Sequence, residues 1–343
     1  MKTCQRRPCG SNIQFRGSTI AKKIANVTVG NSTRREAYGP APRFPRTFAA
    51  MRERYAVTNG IRLFLLEAGP LDGPLVLLLH GFPELAYSWR HQVEALGAAG
   101  YHVVAPDLPG YGRSDKPDVT YDAEWVNACL VGLVPALGHE RAVIAGHDWG
   151  GLLVWTMARR HPARVAGVIG VNTPDLPRPP MPPVQLMRQI FVDTPVYIIQ
   201  FQDRGVAEWV FSWGRGADDF VETMFRGPAT HNHDAFPPDV LEVYKAAVRP
   251  AGALTPPIEY YRNLDRNWEL AVDVADRKVE VPCLMISAAN DPVLTPMMAE
   301  GMEERVPNLE KVLIADCGHW TQQERPEETT AAMLRYLDRI TPW

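Results

Sequence analysis

The chain has no apolar stretch of 18 residues free of charges or breakers, so a transmembrane helix is not expected. It has no excess of either charge: 36 Lys and Arg against 39 Asp and Glu give a net charge of -3. That balance gives no reason to expect nucleic acid as a partner. Cysteine is scarce. The five (Cys4, Cys9, Cys129, Cys283 and Cys317) are odd in number and scattered, with no C-x-x-C pair and no zinc-ligand spacing. They read as reduced thiols of a cytoplasmic protein. Acidic residues are almost missing from residues 1–50, where ten Lys and Arg face one acid, Glu36. An Arg-rich, acid-poor leader has the composition of a targeting segment. The reading set against it is a disordered tail, or an upstream extension with Met51 as the first residue. There are no internal repeats and no long low-complexity tract.

What is present begins just after Met51. With 343 residues and 46% hydrophobic content, the chain can bury one large core, with room for an insertion. Tyr55–Thr58 and Ile61–Ala68 flank Asn59-Gly60, a strong two-residue hairpin signal. Short β-rich runs follow at Leu75–Leu79, Val103–Pro106, Ala142–Ala145, Val165–Val171, Cys283–Ser287 and Val312–Ile314. Helical patterns such as Glu124–Leu137 and Leu152–Arg160 separate them. Continuous apolar strands alternating with helices predict an α/β protein, with a mostly parallel sheet covered on both faces. The alternation breaks from about Pro174 to Trp268, a stretch rich in proline, aromatics and helical patterns. The expected division is therefore a tail over 1–50, a core over 51–174 and 269–343, and a helical cap over 175–268. The cap should cover the carboxyl ends of the strands, where ligands bind in open α/β sheets. Met181, Met187, Phe201, Trp209, Phe211, Trp213, Met224 and Phe225 would line an apolar cavity there or, read singly, fill a core.

Gly146-His147-Asp148-Trp149-Gly150 ends the run Ala142–Ala145 at G-x-(nucleophile)-x-G spacing. This is a sharp strand-to-helix turn that lifts one side chain above the sheet. With aspartate at its tip, the chemistry is attack by a carboxylate on a saturated carbon. A carboxylate is ionised at neutral pH and needs no activating base. It does need a second step to release the ester it forms, with a base to activate water and an acid to orient that base. Asp291 follows the strand at Cys283–Ser287 and His319 follows the next. The order of nucleophile, acid and histidine is a known one for a triad on this layout. The loop His80-Gly81-Phe82-Pro83 follows Leu75–Leu79. The backbone N–H groups of Phe82 and Trp149 are expected to form the oxyanion hole. No cofactor and no metal is required.

These residues resemble the epoxide hydrolases of the α/β-hydrolase fold, the soluble ones most closely, over about residues 51–340. The resemblance rests on His80-Gly81-Phe82-Pro83-Glu84, Gly146-His147-Asp148-Trp149-Gly150-Gly151 and Asp316-Cys317-Gly318-His319-Trp320-Thr321-Gln322. Tyr197-Ile198-Ile199-Gln200-Phe201-Gln202 and Tyr261-Arg262-Asn263-Leu264-Asp265-Arg266-Asn267-Trp268 look like that family's two tyrosine segments. The resemblance implies an eight-stranded sheet with an inserted cap, and conversion of a small apolar epoxide to a vicinal diol. It also implies that Tyr197 and Tyr261 hold the epoxide oxygen, with Tyr260 as the rival for the second role. Glu84 resembles a family glutamate near the hydrolytic water, which it would help to position. The alternative is a haloalkane or haloacid dehalogenase with the same Asp148 nucleophile, in which Trp149 would bind halide. Halide has no use for two protonated phenols, and the haloalkane enzymes usually place Asn where Phe82 stands. Which epoxide is cleaved, and whether the chain forms a homo-oligomer, the sequence leaves open.

Overall fold

The computed structural model describes residues 51–191, 197–211 and 216–342. The leader over 1–50 and Trp213 lie outside the described residues. Eight strands form one sheet: β1 (Arg52–Thr58), β2 (Ile61–Ala68), β3 (Leu75–Leu79), β4 (His102–Pro106), β5 (Ala142–His147), β6 (Val165–Val171), β7 (Cys283–Ala288) and β8 (Leu309–Ile314). Their order across the sheet is β1-β2-β4-β3-β5-β6-β7-β8. β2 runs antiparallel to both its neighbours, and every pairing from β4 to β8 is parallel. The β1–β2 hairpin closes with Thr58 opposite Ile61. Asn59 and Gly60 take φ of 47° and 80°. This is the left-handed pair that a type I′ turn requires.

Side chains alternate across the sheet, because successive strand residues point to opposite faces. Leu75, Leu77 and Leu79 of β3 pack with Ile144, Val168 and Met285 on one face, beneath Val126, Leu130, Leu153 and Val154. Val76 and Leu78 pack with Val143, Ala145, Ile169 and Leu284 on the other, beneath Val93, Leu96, Met333 and Leu337. These residues are fully or almost fully buried. Truncating any of the leucines to alanine would cost about 2–5 kcal/mol.

The sheet edges depart from the sequence reading. β1 begins at Arg52 and β8 at Leu309, earlier than their apolar runs. Both are edge strands, and the residues beyond the apolar runs include the charged Arg52, Glu53, Arg54, Glu310 and Lys311. The helix expected over 124–137 is two helices, Ala123–Val131 and Leu133–Ala136. Thr58 Oγ1 donates to the Cys129 carbonyl (2.9 Å), the acceptor that would continue the helix, and Pro135 removes a further donor.

Between β6 and β7 the described residues form helices and no strand, from Pro183–Ile190 to Leu264–Leu270. A third apolar cluster joins this helical insertion to Trp320 through Val221, Phe225, Phe236 and Tyr244. Cys129, Cys283 and Cys317 are free and buried. No helix among the described residues is long and apolar enough to cross a membrane.

Candidate active site

Because β3, β5, β6, β7 and β8 are parallel, the segments that follow them gather at one edge. They deliver the 80–84 loop, Asp148, Asn172, Asp291 and His319 to one place. Asp148 sits at φ 51° and ψ -117°. A non-glycine residue in that region carries about 1–3 kcal/mol of strain, held by its surroundings. The surroundings here are close-packed backbone. A Cβ on Gly150 would lie 2.1 Å from the Leu79 carbonyl oxygen, and one on Gly81 only 2.3 Å from the Asp148 Cβ. The two segments can approach this closely only without side chains. The approach brings the Phe82 N–H to Asp148 Oδ1, to which it donates at 2.8 Å. No hydrogen bond from the Trp149 N–H to that carboxylate is formed among the described residues. It is the first N–H of the helix Trp149–Arg160, which has no partner within the helix.

The other oxygen, Asp148 Oδ2, lies 3.9 Å from His319 Nε2, too far for a direct hydrogen bond. His319 Nδ1–H donates to Asp291 Oδ2 at 2.8 Å. Since the carboxylate can only accept, Nδ1 carries a proton, and in the neutral ring the Nε2 lone pair is left open. Burial opposes the charge on Asp291. The hydrogen bond and charge of His319, with the N–H groups of Leu294 and Val293, outweigh it and hold the carboxyl below its ordinary value. The Asp148 side chain keeps 17% exposure while that of Asp291 keeps none. One carboxylate is open to a ligand and the other is sealed behind the histidine.

Over Asp148 stands a set of aromatic rings. Tyr261 packs edge-on against Phe82 (5.1 Å between centroids), Trp149 (5.1 Å), Phe201 (5.3 Å) and Tyr197 (5.6 Å). The hydroxyls of Tyr197 and Tyr261 lie 3.5 Å apart. Burial, then the Asp148 charge, push the Tyr197 phenol up to about 12. Burial, with Tyr197 and Asp148, pushes Tyr261 well above the ordinary value. Both phenols therefore hold their protons at neutral pH. The Tyr260 hydroxyl is engaged elsewhere and donates to the Pro109 carbonyl at 2.7 Å. Of the expected cavity residues, Phe201 and Phe211 join this cluster, Phe225 belongs to the Trp320 cluster, and Trp209 is 55% exposed. Among the described residues no group of three His, Cys, Asp or Glu side chains is arranged to hold a metal ion.

The profile of the alpha/beta hydrolase family matches residues 76–332. Epoxide hydrolase A of Mycobacterium tuberculosis is 40% identical over 318 residues, which span 84% of this chain and 98% of that protein. The chain belongs to the epoxide hydrolases of the alpha/beta hydrolase family. Bifunctional epoxide hydrolase 2 of Rattus norvegicus is 38% identical, across 82% of this chain and 54% of that longer protein. Among solved structures, epoxide hydrolase A of Mycobacterium thermoresistibile superposes with a TM-score of 0.76 at 39% identity, covering 84% of this chain and 98% of its own. An epoxide hydrolase of Vigna radiata gives 0.80 at 30% identity, covering 85% and 100%. None of these relatives supports the dehalogenase alternative.

Two groups in this epoxide hydrolase site include residues with no signal in the sequence, Asn172 and His147, while Glu84 is legible there through the family resemblance alone. Asn172, 1% exposed and at φ 59°, follows β6. Its Nδ2 donates to Asp291 Oδ2 and to the His319 carbonyl, both at 2.8 Å. Its Oδ1 accepts from Ala288 N–H (3.1 Å) and Thr321 Oγ1 (2.9 Å). The second group is His147 with Glu84, both fully buried. His147 Nδ1 is 2.7 Å from Glu84 Oε2, and Nε2 is 2.7 Å from the His319 carbonyl oxygen. Both partners accept, so both ring nitrogens carry protons. Burial opposes that charge, but Glu84 outweighs it and raises the imidazole to about 9. Glu84 also accepts from Gly81 N–H (2.9 Å), Gln322 Nε2 (2.8 Å) and Gln323 Nε2 (2.9 Å). Four donors occupy the four lone-pair sites of the carboxylate.

Proposed function

We propose that the chain converts an epoxide to a vicinal diol in two steps through an ester on Asp148. The reading is carried by one arrangement. A single carboxylate has one oxygen bound by a backbone N–H, the other free, and two protonated phenols above it. Oδ2 attacks an epoxide carbon while Tyr197 and Tyr261 donate to the ring oxygen. The C–O bond breaks and that oxygen takes a proton from a phenol. His319 Nε2 then removes a proton from water, and the hydroxide adds to Asp148 Cγ. Oδ1 becomes the oxyanion, met by the N–H groups of Phe82 and Trp149. The Cγ–Oδ2 bond breaks, the proton on His319 passes to the departing oxygen, the proton of the new Asp148 carboxylic acid returns through solvent to the phenolate left by the first step, and the diol leaves. Asp291 and Asn172 keep the base in its tautomer. Glu84 acts on the water through His147 and the His319 carbonyl rather than by touching it. Residues 175–268 serve as the cap that brings the phenols, and 51–174 with 269–343 as the core.

The test is a single turnover in water enriched in oxygen-18. The label should appear in the Asp148 carboxylate, located by peptide mass spectrometry, and not in the diol. Label in the diol alone would mean that water attacks the epoxide directly.

A further inference from the structure

The loop that carries His319 is held by a buried carboxylate that the two proposed steps leave unused. Glu324 is 2% exposed and accepts four backbone N–H groups. Oε2 accepts from Gly318 (3.1 Å), His231 (2.9 Å) and Asn232 (2.7 Å), and Oε1 from Trp320 (3.1 Å). Gly318 and Trp320 flank His319 in the chain. His231 and Asn232 belong to the helical insertion. The carboxylate thus joins the base loop to the insertion, and its charge is met by N–H dipoles. Three further bonds follow the same seam. The His319 N–H donates to the Ala229 carbonyl at 2.7 Å. The Trp320 indole N–H donates to Thr230 Oγ1 (3.1 Å) and to the Met224 carbonyl (3.2 Å).

We propose that Glu324 is a positioning residue for ester hydrolysis, fixing the His319 loop against the insertion so that Nε2 stays over the Asp148 ester. This rests on the reading of His319 as the base. His319 acts only in the second step, so loosening it should separate the two half-reactions. In Glu324→Gln the charge is lost and, with the carbonyl oxygen at the Oε2 position, whose two lone pairs face three donors, the new NH2 group faces the Trp320 N–H. The disturbance falls on the residue next to the base, away from Asp148, Tyr197 and Tyr261.

The experiment mixes full-length enzyme with excess styrene oxide and follows the intact-protein mass by rapid quench. Wild type should show a transient adduct. Glu324→Gln should form it at the wild-type rate and hydrolyse it roughly 10- to 100-fold more slowly, the cost of a displaced catalytic group. kcat and KM then fall together with kcat/KM unchanged, and Glu324→Asp, which keeps the charge, recovers part of the rate. A merely structural role would reduce the active fraction without raising the share of adduct. Should Glu324→Gln not fold, Glu324→Asp carries the same measurement with a smaller expected slowing. Adduct decay at the wild-type rate in the folded variant overturns the proposal. Asp291→Asn separates the two readings: adduct persisting there but not in the Glu324 variant removes only the role of Glu324. No adduct in any protein removes the two-step reading with it.

Discussion

Replacing Tyr197 and Tyr261 by phenylalanine tests the opening step and separates catalysis from stability. Their hydroxyls are 3.5 Å apart, at the limit of a hydrogen bond. Little is therefore lost in the resting enzyme, and each substitution should cost less than about 1 kcal/mol of stability. The loss appears when the epoxide oxygen takes on charge in a ring-lined site of low dielectric. Removing one preorganised donor from such a site costs about 2.7–4 kcal/mol, or 10²- to 10³-fold in rate. Each single variant should lose that much in adduct formation, and the double variant at least about 10⁴-fold if the donors act independently. kcat and kcat/KM should fall together, because the interaction is made in the transition state. The assay is single-turnover adduct formation, with thermal unfolding measured on the same samples. Tyr260→Phe is the control: it loses the bond to the Pro109 carbonyl, about 1 kcal/mol, and should form adduct normally. A double variant within about tenfold of wild type would refute the reasoning, since one donor alone should cost more. So would a Tyr260→Phe enzyme as impaired as Tyr261→Phe.

Asn172→Ala should lose about 3–5 kcal/mol in denaturant unfolding. It takes one hydrogen bond from each of four buried partners and puts alanine at φ 59°. The surviving enzyme should accumulate adduct, because Asp291 and His319 lose their shared donor, and hydrolysis at the wild-type rate would argue otherwise. The Glu84–His147 pair makes a prediction about pH. The folded pKa of His147 is raised to about 9, so its contribution to stability is complete below the unfolded value near 6.5 and is lost as pH rises through 9. For Glu84, burial raises the carboxyl but His147 and the Gly81 N–H lower it further. Its contribution is complete above the unfolded value and lost as acid takes the pH through the depressed one. Tm should fall between pH 6.5 and 9 in wild type and stay flatter in Glu84→Gln, and equal slopes would remove the ion pair from the account.

The parts of the fold that the sequence reveals are those where burial is symmetric. β3 and β6 match their apolar runs residue for residue, because both faces of a central parallel strand are covered. β1 and β8 do not, because Arg52, Glu53, Arg54, Glu310 and Lys311 sit on edge strands and read as polar turns. The residues of the triad are legible because each follows its own strand in a fixed order. Asn172, His147 and Glu324 are not. Each has partners far away in the chain, with His147 and His319 separated by 172 positions and Glu324 and Asn232 by 92. No local pattern carries that information. The choice between Tyr260 and Tyr261 is hidden for a related reason. Neighbours on a helix point about 100° apart, and only packing decides which one turns to the site.

The charges explain why Asp148, of the three carboxylates here, is suited to be the nucleophile. Glu84 is bound by His147 and three amides, and Asp291 by His319, Asn172 and two backbone N–H groups. Each has its lone pairs engaged and its side chain sealed. Asp148 has one N–H on Oδ1 and a histidine nitrogen too distant to hydrogen-bond Oδ2. A directly bonded imidazolium would stabilise the resting carboxylate and blunt its attack. Keeping that nitrogen back leaves Oδ2 open to an electrophile and leaves room for a water between the two. On the proposed reading, the same separation suits Asp148 to attack in the first step and His319 to act in the second. Asn172, and on our proposal Glu324, act on the residue whose position sets that distance.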